Sequence, residues 1–498
     1  MRGSEDRNAL DASIAATVGL VYFGLYLLTL CRTVFWYDSA EYVTAAVTLG
    51  IPHPPGYPLY TLIGHLFTLL PIDPAIAVNA MSATFAAIAV ALTYLVCRRL
   101  GVGRVPAGLG AATLGGGKLF WANAVVAEVY CPALAVVALV LYLMFRSREE
   151  ENFRLTALAS FLAGLGLGIH LSIATLGLGL ALLVWGFGTP VGQLRDFRPL
   201  FARRELGARV RRSLVAGVMA LLGSLVFLYL PLRAAQNPPL NFGNPSNLAR
   251  FRWVITGGTY KGWFSQDLDR FRRAGAIAAA FNEQLLFVGS ALAVIGIVWL
   301  WRRRALECAS LLLMTVGNVG FFFRYQVHDL AVFFLPTTLI LCCLASAGAQ
   351  GVIDAVARVV SKARATTMQN ITKTALVLFP AALAMGNYRA VDMSNFKETD
   401  QFIAALVNGL PRGAVILNYT TPPEWKLDAV FGMYVQKVLQ ERTDVDVVIA
   451  VDPNVAPAAM RSGRPVYAYA PVAQLARNFE LAPDGPLLRV LGPRQSDE

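Results

Sequence analysis

The chain has 498 residues, of which 56% are hydrophobic and 15% are charged, against about 25% charged residues in an ordinary soluble domain. A soluble protein of this length could not bury so much apolar surface, which disfavours a soluble enzyme, a disordered chain and a nucleic-acid-binding module. The net charge of +12 does not indicate nucleic acid, because the basic residues stand between apolar runs, as they do in membrane proteins. The composition therefore predicts a polytopic membrane protein.

Eleven apolar stretches have a length suited to membrane-spanning helices. They lie near residues 12–31, 75–97, 105–121, 125–145, 155–171, 172–188, 213–231, 275–301, 305–323, 331–349 and 373–386. The first stretch is longer than the roughly 7–15 apolar residues of a signal peptide. We therefore expect it to be an uncleaved membrane anchor.

Lys and Arg are distributed unevenly between the two sides of this arrangement. With the N-terminus placed inside, the inside connections hold 22 Lys and Arg and the outside connections hold ten, seven of them in the loop 232–274. Cytoplasmic loops normally carry such an excess. The pattern predicts a cytoplasmic N-terminus and, after an odd number of spans, an extracytoplasmic tail. In a prokaryote the membrane would be the inner or plasma membrane.

Residues 387–498 differ in composition, with 11 Lys or Arg and 13 Asp or Glu. A helix-like segment 399–410 and an amphipathic segment 424–441 alternate with short apolar runs at 414–418, 445–451 and 465–469. Alternating helices and buried strands predict a small α/β domain with a parallel sheet. The predicted fold class is an α-helical polytopic membrane protein, with about eleven transmembrane helices in residues 1–386 and a small C-terminal α/β extracytoplasmic domain.

The six cysteines all lie in or beside apolar segments, and the sequence has no C-x-x-C spacing. Neither a disulfide framework nor a thiolate zinc site is therefore indicated. We expect buried cysteines that pack between helices.

Two carboxylates stand at the start of a predicted helix in the first outer loop, residues 32–74. Asp38 and Glu41 are three residues apart, so they share one face of a helix over 39–49. Asp-x-x-Glu before an apolar helix is also typical of a capping box, in which Asp38 would bind the backbone of the first turn. Ionisable groups close to a bilayer usually have a function, which favours a site at these carboxylates.

A rigid segment follows this helix. Gly50 and Pro52 are expected to end it, and the run IPHPPGYP restricts the chain around His53 and Tyr57. Residues 58–70 are apolar but too short to span, so we expect them to lie in the membrane interface or to re-enter it. His53 and Tyr57 are therefore candidate binding residues beside the carboxylates.

Few other polar side chains fall on the predicted outer side. They are Glu128, His170, Arg324, His328 and Asp329, all candidate binding residues. For each histidine a hydrogen-bonded structural role is the alternative interpretation. The sequence has no H-x-x-x-H or H-E-x-x-H spacing, so a zinc site receives little support.

The loop 232–274 mixes cations with aromatic residues. Aromatic side chains at a membrane surface normally anchor at headgroup level, and cations there can bind a lipid phosphate. Arg233, Lys261 and Arg324 are the candidate phosphate ligands, with Arg233 favoured because it directly follows a predicted span. The alternative is a loop that touches lipid headgroups without taking part in catalysis.

The first outer loop resembles that of a widespread family of polytopic proteins, in the run WYDSAEYVTAAVTLGIPHPPGYPLYTLIG. Further similar runs, in chain order, are FWANAVVAEVY, GLGLGIHLSI, YLPLRAAQNPPLNFGNPSNLARF, YQVHDLAVFFLP and NYRAV. That family is assigned to the glycosyltransferase-C superfamily, and one branch is a protein O-mannosyltransferase that acts on plexin-type receptors. Ala40 departs from the glycine that the family usually has at this position.

The resemblance implies a membrane glycosyltransferase that takes a sugar from a polyprenyl-phosphate lipid on the outer side. In such enzymes an acidic residue of the first outer loop acts as the base or positions the acceptor; Asp38 matches that residue, and Glu41 is the supporting carboxylate. One carboxylate is enough for a single inverting displacement, in contrast to the carboxylate pair of glycosidases. The implied partners are the lipid-linked sugar, an extracytoplasmic protein or glycan acceptor and membrane lipids.

Several alternatives remain at this stage. The sugar, mannose or another, is not fixed by the resemblance. The sequence identifies no particular cofactor, and a divalent metal is left open. A transporter or flippase of lipid-linked sugar is disfavoured, because the sequence has no inverted repeat and its acidic groups cluster on one side. A non-catalytic membrane assembly factor would have no need of Asp38.

Overall fold

The computed structural model describes residues 2–190, 197–264, 269–327, 329–359, 362–418, 428–449, 455–468, 473–485 and 487–494. In chain order its helices are α1 (Arg2–Leu28), α2 (Ser39–Thr48), α3 (Pro58–Thr68), α4 (Pro74–Arg99), α5 (Arg104–Gly116), α6 (Lys118–Ala124), α7 (Tyr130–Glu149), α8 (Phe153–Gly166), α9 (Gly177–Trp185), α10 (Arg203–Ser224), α11 (Tyr229–Ala234), α12 (Leu248–Ile255), α13 (Arg270–Trp301), α14 (Ala305–Phe322), α15 (Leu335–Val359), α16 (Lys362–Val391), α17 (Glu398–Gly409), α18 (Asp428–Lys437), α19 (Val455–Arg461) and α20 (Ala473–Asn478). The strands are β1 (Val415–Asn418), β2 (Asp446–Ile449), β3 (Val466–Ala468), β4 (Phe479–Asp484) and β5 (Leu487–Pro493).

Among the described residues, seven helical segments are long and apolar enough to cross a membrane. They are Asn8–Leu28, Pro74–Arg99, Tyr130–Glu149, Arg203–Ala234, Arg270–Trp301, Ala305–Phe322 and Leu330–Arg358. Each overlaps one of the eleven predicted spans, so the predicted helical polytopic architecture is confirmed. The other four predicted spans fall on shorter or less apolar helices; α5, for example, has 13 residues, whereas a span needs about 20. The count of eleven stays a prediction.

Small residues let the membrane helices pack closely. A Cβ atom on Gly348 of α15 would lie 1.8 Å from the carbonyl oxygen of Leu292 on α13, and one on Gly296 would lie equally close to that of Leu344. Only glycine allows the two backbones to meet at these two positions, as is common between helices that pack in lipid.

Polar groups near the ends of α7 and α8 are buried in pairs. Arg148 donates from Nε to Glu307 at 3.1 Å, and both side chains are 2% exposed. The hydroxyl groups of Ser147 and Thr156 lie 2.6 Å apart. These contacts hold α7, α8 and α14 together near the C-terminal end of α7. About 20 residues of helix separate this point from the N-terminal end of α7, a distance of roughly 30 Å.

The strands form one mixed sheet, in the order β2-β1-β3-β5-β4. The three strands at the predicted positions, β1, β2 and β3, are parallel neighbours. β5 pairs antiparallel with β3 and with β4, so the sheet is mixed, whereas the sequence predicted a parallel sheet. The sequence does not point to β4 because Pro483 lies within it, and proline is tolerated there since β4 is an edge strand.

The helices after residue 391 pack on the first outer loop. Met433 of α18 lies in one buried cluster with Ala45 of α2 and with Leu240. Phe396, just before α17, contacts Phe35 with ring centroids 5.2 Å apart. The first outer loop is therefore enclosed between the membrane helices and the C-terminal part of the chain.

Candidate functional site

The two short helices of the first outer loop place the site residues. α2 begins after Asp38 and ends at Thr48, and the next residue, Leu49, has a φ of 51° in the left-handed region. α3 begins with Pro58, which suits the first position of a helix, after Tyr57 with a φ of 40°. The chain thus reverses between α2 and α3, and the reversal brings His53 back against α2. The predicted helix over 39–49 and its end before Gly50 are confirmed.

His53 lies between the two predicted carboxylates. Its backbone N–H donates to Glu41 Oε1 at 2.8 Å, and its Nδ1 lies 2.5 Å from Glu41 Oε2. Its Nε2 lies 3.0 Å from the Tyr57 hydroxyl and 3.8 Å from Asp38 Oδ2. The structure therefore brings together all four residues that the sequence singled out in this loop.

Asp38 occupies the N-cap position of α2, but its side chain makes no capping hydrogen bond. The alternative capping-box interpretation is therefore wrong in its geometry. Glu41 does not reach back to the helix start either, because both of its oxygens bind His53. The Asp38 side chain is 25% exposed, so it is mostly buried and a part of it stays accessible.

Burial and neighbouring charge set the protonation of this group. Burial raises the pKa of Asp38 to about 6, although the charge of His53 counteracts the shift. Burial disfavours the charged form of His53, but Glu41 and Asp38 outweigh it and raise the pKa of His53 to about 9. At neutral pH the site thus holds an imidazolium between two carboxylates, with Asp38 close to its titration range.

Glu128 lies at a turn before α7, near these carboxylates. Its Oε2 atom is buried and has no hydrogen-bond partner among the described residues. Burial, together with the charges of Asp38 and Asp329, raises the pKa of Glu128 well above its ordinary value. The direction of this shift favours the neutral carboxylic acid form of Glu128, which can donate a hydrogen bond.

His170 contacts Tyr57, which also contacts His53. The Tyr57 and His170 rings are stacked at an interplanar angle of 15°. The His170 Nδ1 accepts the backbone N–H of Ser172 at 3.2 Å, which leaves the proton of a neutral ring on Nε2. Burial, and then the charge of His53, lower the pKa of His170 to about 3. His170 is a neutral donor, in contrast to the charged His53.

Arg233 is engaged in structural contacts. Its Nε donates to the Leu49 carbonyl at 2.8 Å, and its Nη2 donates to that of Thr48 at 3.0 Å. Its Nη1 donates to Gln236 Oε1 at 2.5 Å. The guanidinium thus binds the carbonyl end of α2, where a cation is favourable. This position argues for a structural role of Arg233, and its predicted phosphate contact stays a prediction.

The remaining predicted residues are placed less fully. Lys261 lies in a 3-10 helix, Gly258–Trp263, and its side chain is outside the described part. Arg324 and Asp329 are exposed in the segment between α14 and the next short helix. Asp329 lies near enough to Asp38 for its charge to raise the Asp38 pKa. His328 lies outside the described residues.

Three of the side chains have the composition of a metal site. One ligand atom each from Asp38, Glu41 and His53 lies within 4.8 Å of the others. Both Glu41 oxygens already accept hydrogen bonds from His53, and His53 would have to lose its proton before it could bind a cation. The observed geometry is that of a hydrogen-bonded group of one imidazolium and two carboxylates.

The sequence did not single out several residues around the site. Tyr42 contacts both His53 and Tyr57, with ring centroids 5.8 Å and 5.4 Å apart, and Tyr260 lies 6.5 Å from His53. Tyr42 lies four residues after Asp38 and thus on the same helical face, and this spacing could have identified it from the sequence. Tyr260 is more than 200 residues away in the chain, and only the fold brings it to the site.

The fold of the chain matches that of a protein of known structure over nearly its full length. Its structure matches that of ArnT from Cupriavidus metallidurans bound to undecaprenyl phosphate, with a TM-score of 0.60, 14% identity and coverage of 97% of this chain and 99% of that one. The same protein in the apo state matches with a TM-score of 0.59. The protein is therefore a helical polytopic membrane protein with an ArnT-like fold.

Sequence similarity points to one family within that fold. Residues 38–187 match the N-terminal domain family of protein O-mannosyl-transferase TMEM260. The mouse protein O-mannosyl-transferase TMEM260 is 26% identical over 452 residues, which cover 84% of this chain and 59% of the mouse protein. The Dictyostelium discoideum protein of the same name is 27% identical over 179 residues, 32% of this chain and 22% of that protein. The resemblance seen in the first outer loop is thus confirmed.

Proposed function

We propose that the protein is a membrane glycosyltransferase that moves a sugar from a polyprenyl-phosphate donor to a hydroxyl group of an extracytoplasmic acceptor. The observation that carries this proposal is the state of Asp38. It is a partly exposed carboxylate without a capping bond, 3.8 Å from an imidazolium that Glu41 holds in place. Its raised pKa suits a general base that works near neutral pH.

In the proposed reaction, Asp38 accepts the proton of the acceptor hydroxyl as that oxygen attacks the anomeric carbon. The bond from the anomeric carbon to the phosphate oxygen breaks, and the lipid phosphate leaves with the electron pair. One base is enough for this single displacement, which inverts the anomeric centre. His53 stabilises the ionised form of Asp38, and Glu41 keeps His53 protonated and oriented.

The donor is proposed to be a polyprenyl-phosphate sugar. The fold match to ArnT with bound undecaprenyl phosphate supports a lipid-linked donor. The leaving phosphate needs cations or hydrogen-bond donors, and we propose Lys261 and Arg324 as its ligands. Arg233 is a weaker candidate for this role, because its guanidinium binds the end of α2. Neutral Glu128 and His170 are proposed to donate hydrogen bonds to sugar hydroxyl groups, and His328 and Asp329 to lie beside them.

A protein acceptor and mannose as the sugar are the finer parts of the proposal. They are supported by the name of the mouse relative, a protein O-mannosyl-transferase. This chain spans 59% of the length of that protein. We further propose that the N-terminus is cytoplasmic, that residues 387–498 form an extracytoplasmic domain and that about eleven helices cross the membrane, on the basis of the Lys and Arg asymmetry.

The test is a transfer assay with purified full-length protein. Short-chain polyprenyl-phosphate mannose, and the glucose analogue as a comparison, would be incubated with a folded extracytoplasmic acceptor domain, and mass spectrometry would follow the acceptor mass and the released lipid phosphate. Asp73→Asn is the matched control for Asp38→Asn, because Asp73 caps α4 through its side chain and Asn caps about as well as Asp. Transfer lost only in Asp38→Asn would support the proposal. Absence of sugar release from every donor would refute it.

A further inference from the structure

We propose that Thr399 on α17 is a positioning residue for Asp38, acting through the backbone of residues 33–37. The inference rests on the proposed function, because it assigns a catalytic consequence to this contact. Nothing in the sequence near Asp38 points to Thr399, which lies more than 360 residues further along the chain.

The contact itself is short and buried. Thr399 Oγ1 donates to the carbonyl oxygen of Val34 at 2.6 Å, and both residues are fully buried. Thr399 is the second residue of α17, so its backbone is fixed by the helix that follows. Val34 lies four residues before Asp38, in a segment without helix or strand.

A second contact fixes the same segment two residues later. Trp36 Nε1 donates to Glu398 Oε2 at 3.1 Å. The Trp36 indole meets the rings of Phe402 on α17 and Phe431 on α18 edge to face, with centroids 5.7 Å and 5.6 Å apart. The first two residues of α17 thus hold Val34 and Trp36 from one side.

The residue between this contact and the site has a strained backbone. Tyr37 has a φ of 63°, in the left-handed region that non-glycine residues rarely adopt. Its own side chain is 70% exposed, so packing of the Tyr37 ring contributes little to holding this conformation. A strained residue requires restraint from its surroundings. The contacts of Val34 and Trp36 with α17 contribute to it, beside the hydrogen bonds from Asn79 Nδ2 to the Thr33 carbonyl at 2.9 Å and from the Phe35 N–H to Ser39 Oγ at 3.0 Å.

The helix that follows Asp38, α2, is held by the same part of the chain. α18 packs on α2 through Met433 and Ala45, and α17 and α18 contact each other through Phe402 and Phe431, 5.3 Å apart. The Asp38 carboxylate has no capping bond and meets Tyr42 and His53 within the site, so its position relative to a reacting group depends on where the backbone on both sides places Asp38. A shift of about 1 Å in a reacting group can reduce the rate on the order of 10²-fold.

The experiment compares Thr399→Val, which keeps the shape and removes the hydroxyl, with Thr399→Ser, which restores it. The matched control is Thr156→Val, because Thr156 is equally buried and its hydroxyl bonds Ser147 at the far end of α7. The readouts are kcat and KM for the lipid-linked sugar, thermal stability, and hydrogen exchange of peptides that cover residues 33–42. The full-length protein is used throughout.

We expect Thr399→Val to reduce kcat about tenfold or more with an unchanged KM, to increase exchange in residues 33–42, and to recover in Thr399→Ser. Thr156→Val should lose similar stability and keep its kcat. Equal loss of kcat in both valine variants, or unchanged exchange in Thr399→Val, would overturn the proposal. Should Thr399→Val not fold, Trp36→Phe removes the indole N–H that donates to Glu398 together with part of the ring, and is expected to change kcat in the same direction; an unchanged kcat there would also overturn the proposal.

The outcome is separable from that of the proposed function. If the wild-type protein transfers no sugar, the glycosyltransferase proposal fails, and the exchange of residues 33–42 still decides whether Thr399 restrains the segment before Asp38. If the wild-type protein is active and Thr399→Val is indistinguishable from it, only the positioning role fails.

Discussion

Glu41 binds His53 twice, through the backbone N–H at 2.8 Å and through Nδ1 at 2.5 Å. The double contact fixes both the loop that carries His53 and the direction of its ring. Because Nδ1 is taken by Glu41, only Nε2 faces Tyr57 and Asp38. A single buried carboxylate, 1% exposed, thus determines the geometry and the charge of the group next to the proposed base.

Replacing Asp38 by asparagine is expected to leave a folded protein with very low transfer activity. The loss should be on the order of 10²–10⁴-fold, because the general base is removed while the shape is kept. Thermal stability at neutral pH should be unchanged or higher, since burial disfavours the ionised carboxylate. Transfer assays and thermal unfolding of the same preparation would measure both.

Asp38→Ala separates catalysis from helix capping. A capping role would make the alanine variant about 1 kcal/mol less stable than the asparagine variant, whereas the structure gives the side chain no capping bond to lose. We expect similar stability for the two variants. Full activity of Asp38→Asn would instead direct attention to Glu41 and Glu128.

The rate is expected to depend on pH in a bell shape. It should rise as Asp38 loses its proton near pH 6 and fall as His53 loses its proton near pH 9, and kcat/KM would report both values for the free enzyme. The His53 pKa is raised from its ordinary 6.5, so its contribution to stability is complete below pH 6.5 and is lost as the pH rises through about 9. A flat rate between pH 5 and 9 would contradict this assignment.

Glu41→Gln should move the alkaline limb of the profile. The Glu41 charge is a main cause of the raised pKa of His53, so its removal should shift that limb toward lower pH. The glutamine can still accept one of the two hydrogen bonds from His53, which makes a folded variant accessible. An alkaline limb that stays in place would show that Glu41 does not control His53.

Arg233→Ala is expected to act mainly on stability. It removes the hydrogen bonds from the guanidinium to the carbonyl oxygens of Thr48 and Leu49, with a loss of about 1–3 kcal/mol in the free energy of unfolding. The exposed Arg250 is the control, since its replacement by alanine should change stability by less than about 0.5 kcal/mol. A stable Arg233→Ala variant with weakened donor binding would instead favour the phosphate role.

Reporter fusions test the proposed topology. Reporters placed after residues 205 and 450 should lie on opposite sides of the membrane, with 205 in the cytoplasm, because seven Lys or Arg fall in the connection 189–212. The comparison needs a reporter active in the cytoplasm and one active outside. Two signals from the same side would refute the alternating arrangement.

The predictable parts of the molecule are those that local pattern controls. The helix after Asp38, its end before Gly50 and the first three strands follow from apolar periodicity and from glycine and proline positions. The same local information could not decide whether Asp38 caps its helix, because the Asp-x-x-Glu pattern is identical in both cases. The contact with His53 excludes the capping box, because both Glu41 oxygens bind His53 once the chain has reversed.

Long-range contacts account for the rest. Arg233 donates to the carbonyl oxygens of Leu49 and Thr48, which lie more than 180 residues away in the chain. Its position after a predicted span could not show that its N–H groups are engaged in these hydrogen bonds. Thr399 and Val34 meet across 365 residues. A single sequence carries no periodicity or spacing that would join such pairs, and packing alone brings them together.

Three non-glycine residues with left-handed backbone, Tyr37, Leu49 and Tyr57, flank the site. Such a conformation costs roughly 1–2 kcal/mol for each residue, so this region has less than the best stability its sequence could provide. Proteins rarely evolve to their stability optimum. Substitutions that relieve the strain at these positions are therefore expected to raise the thermal stability. Leu49 is the safest position, because glycine is favoured after the end of a helix, while Tyr57 cannot change without loss of the hydroxyl that meets His53.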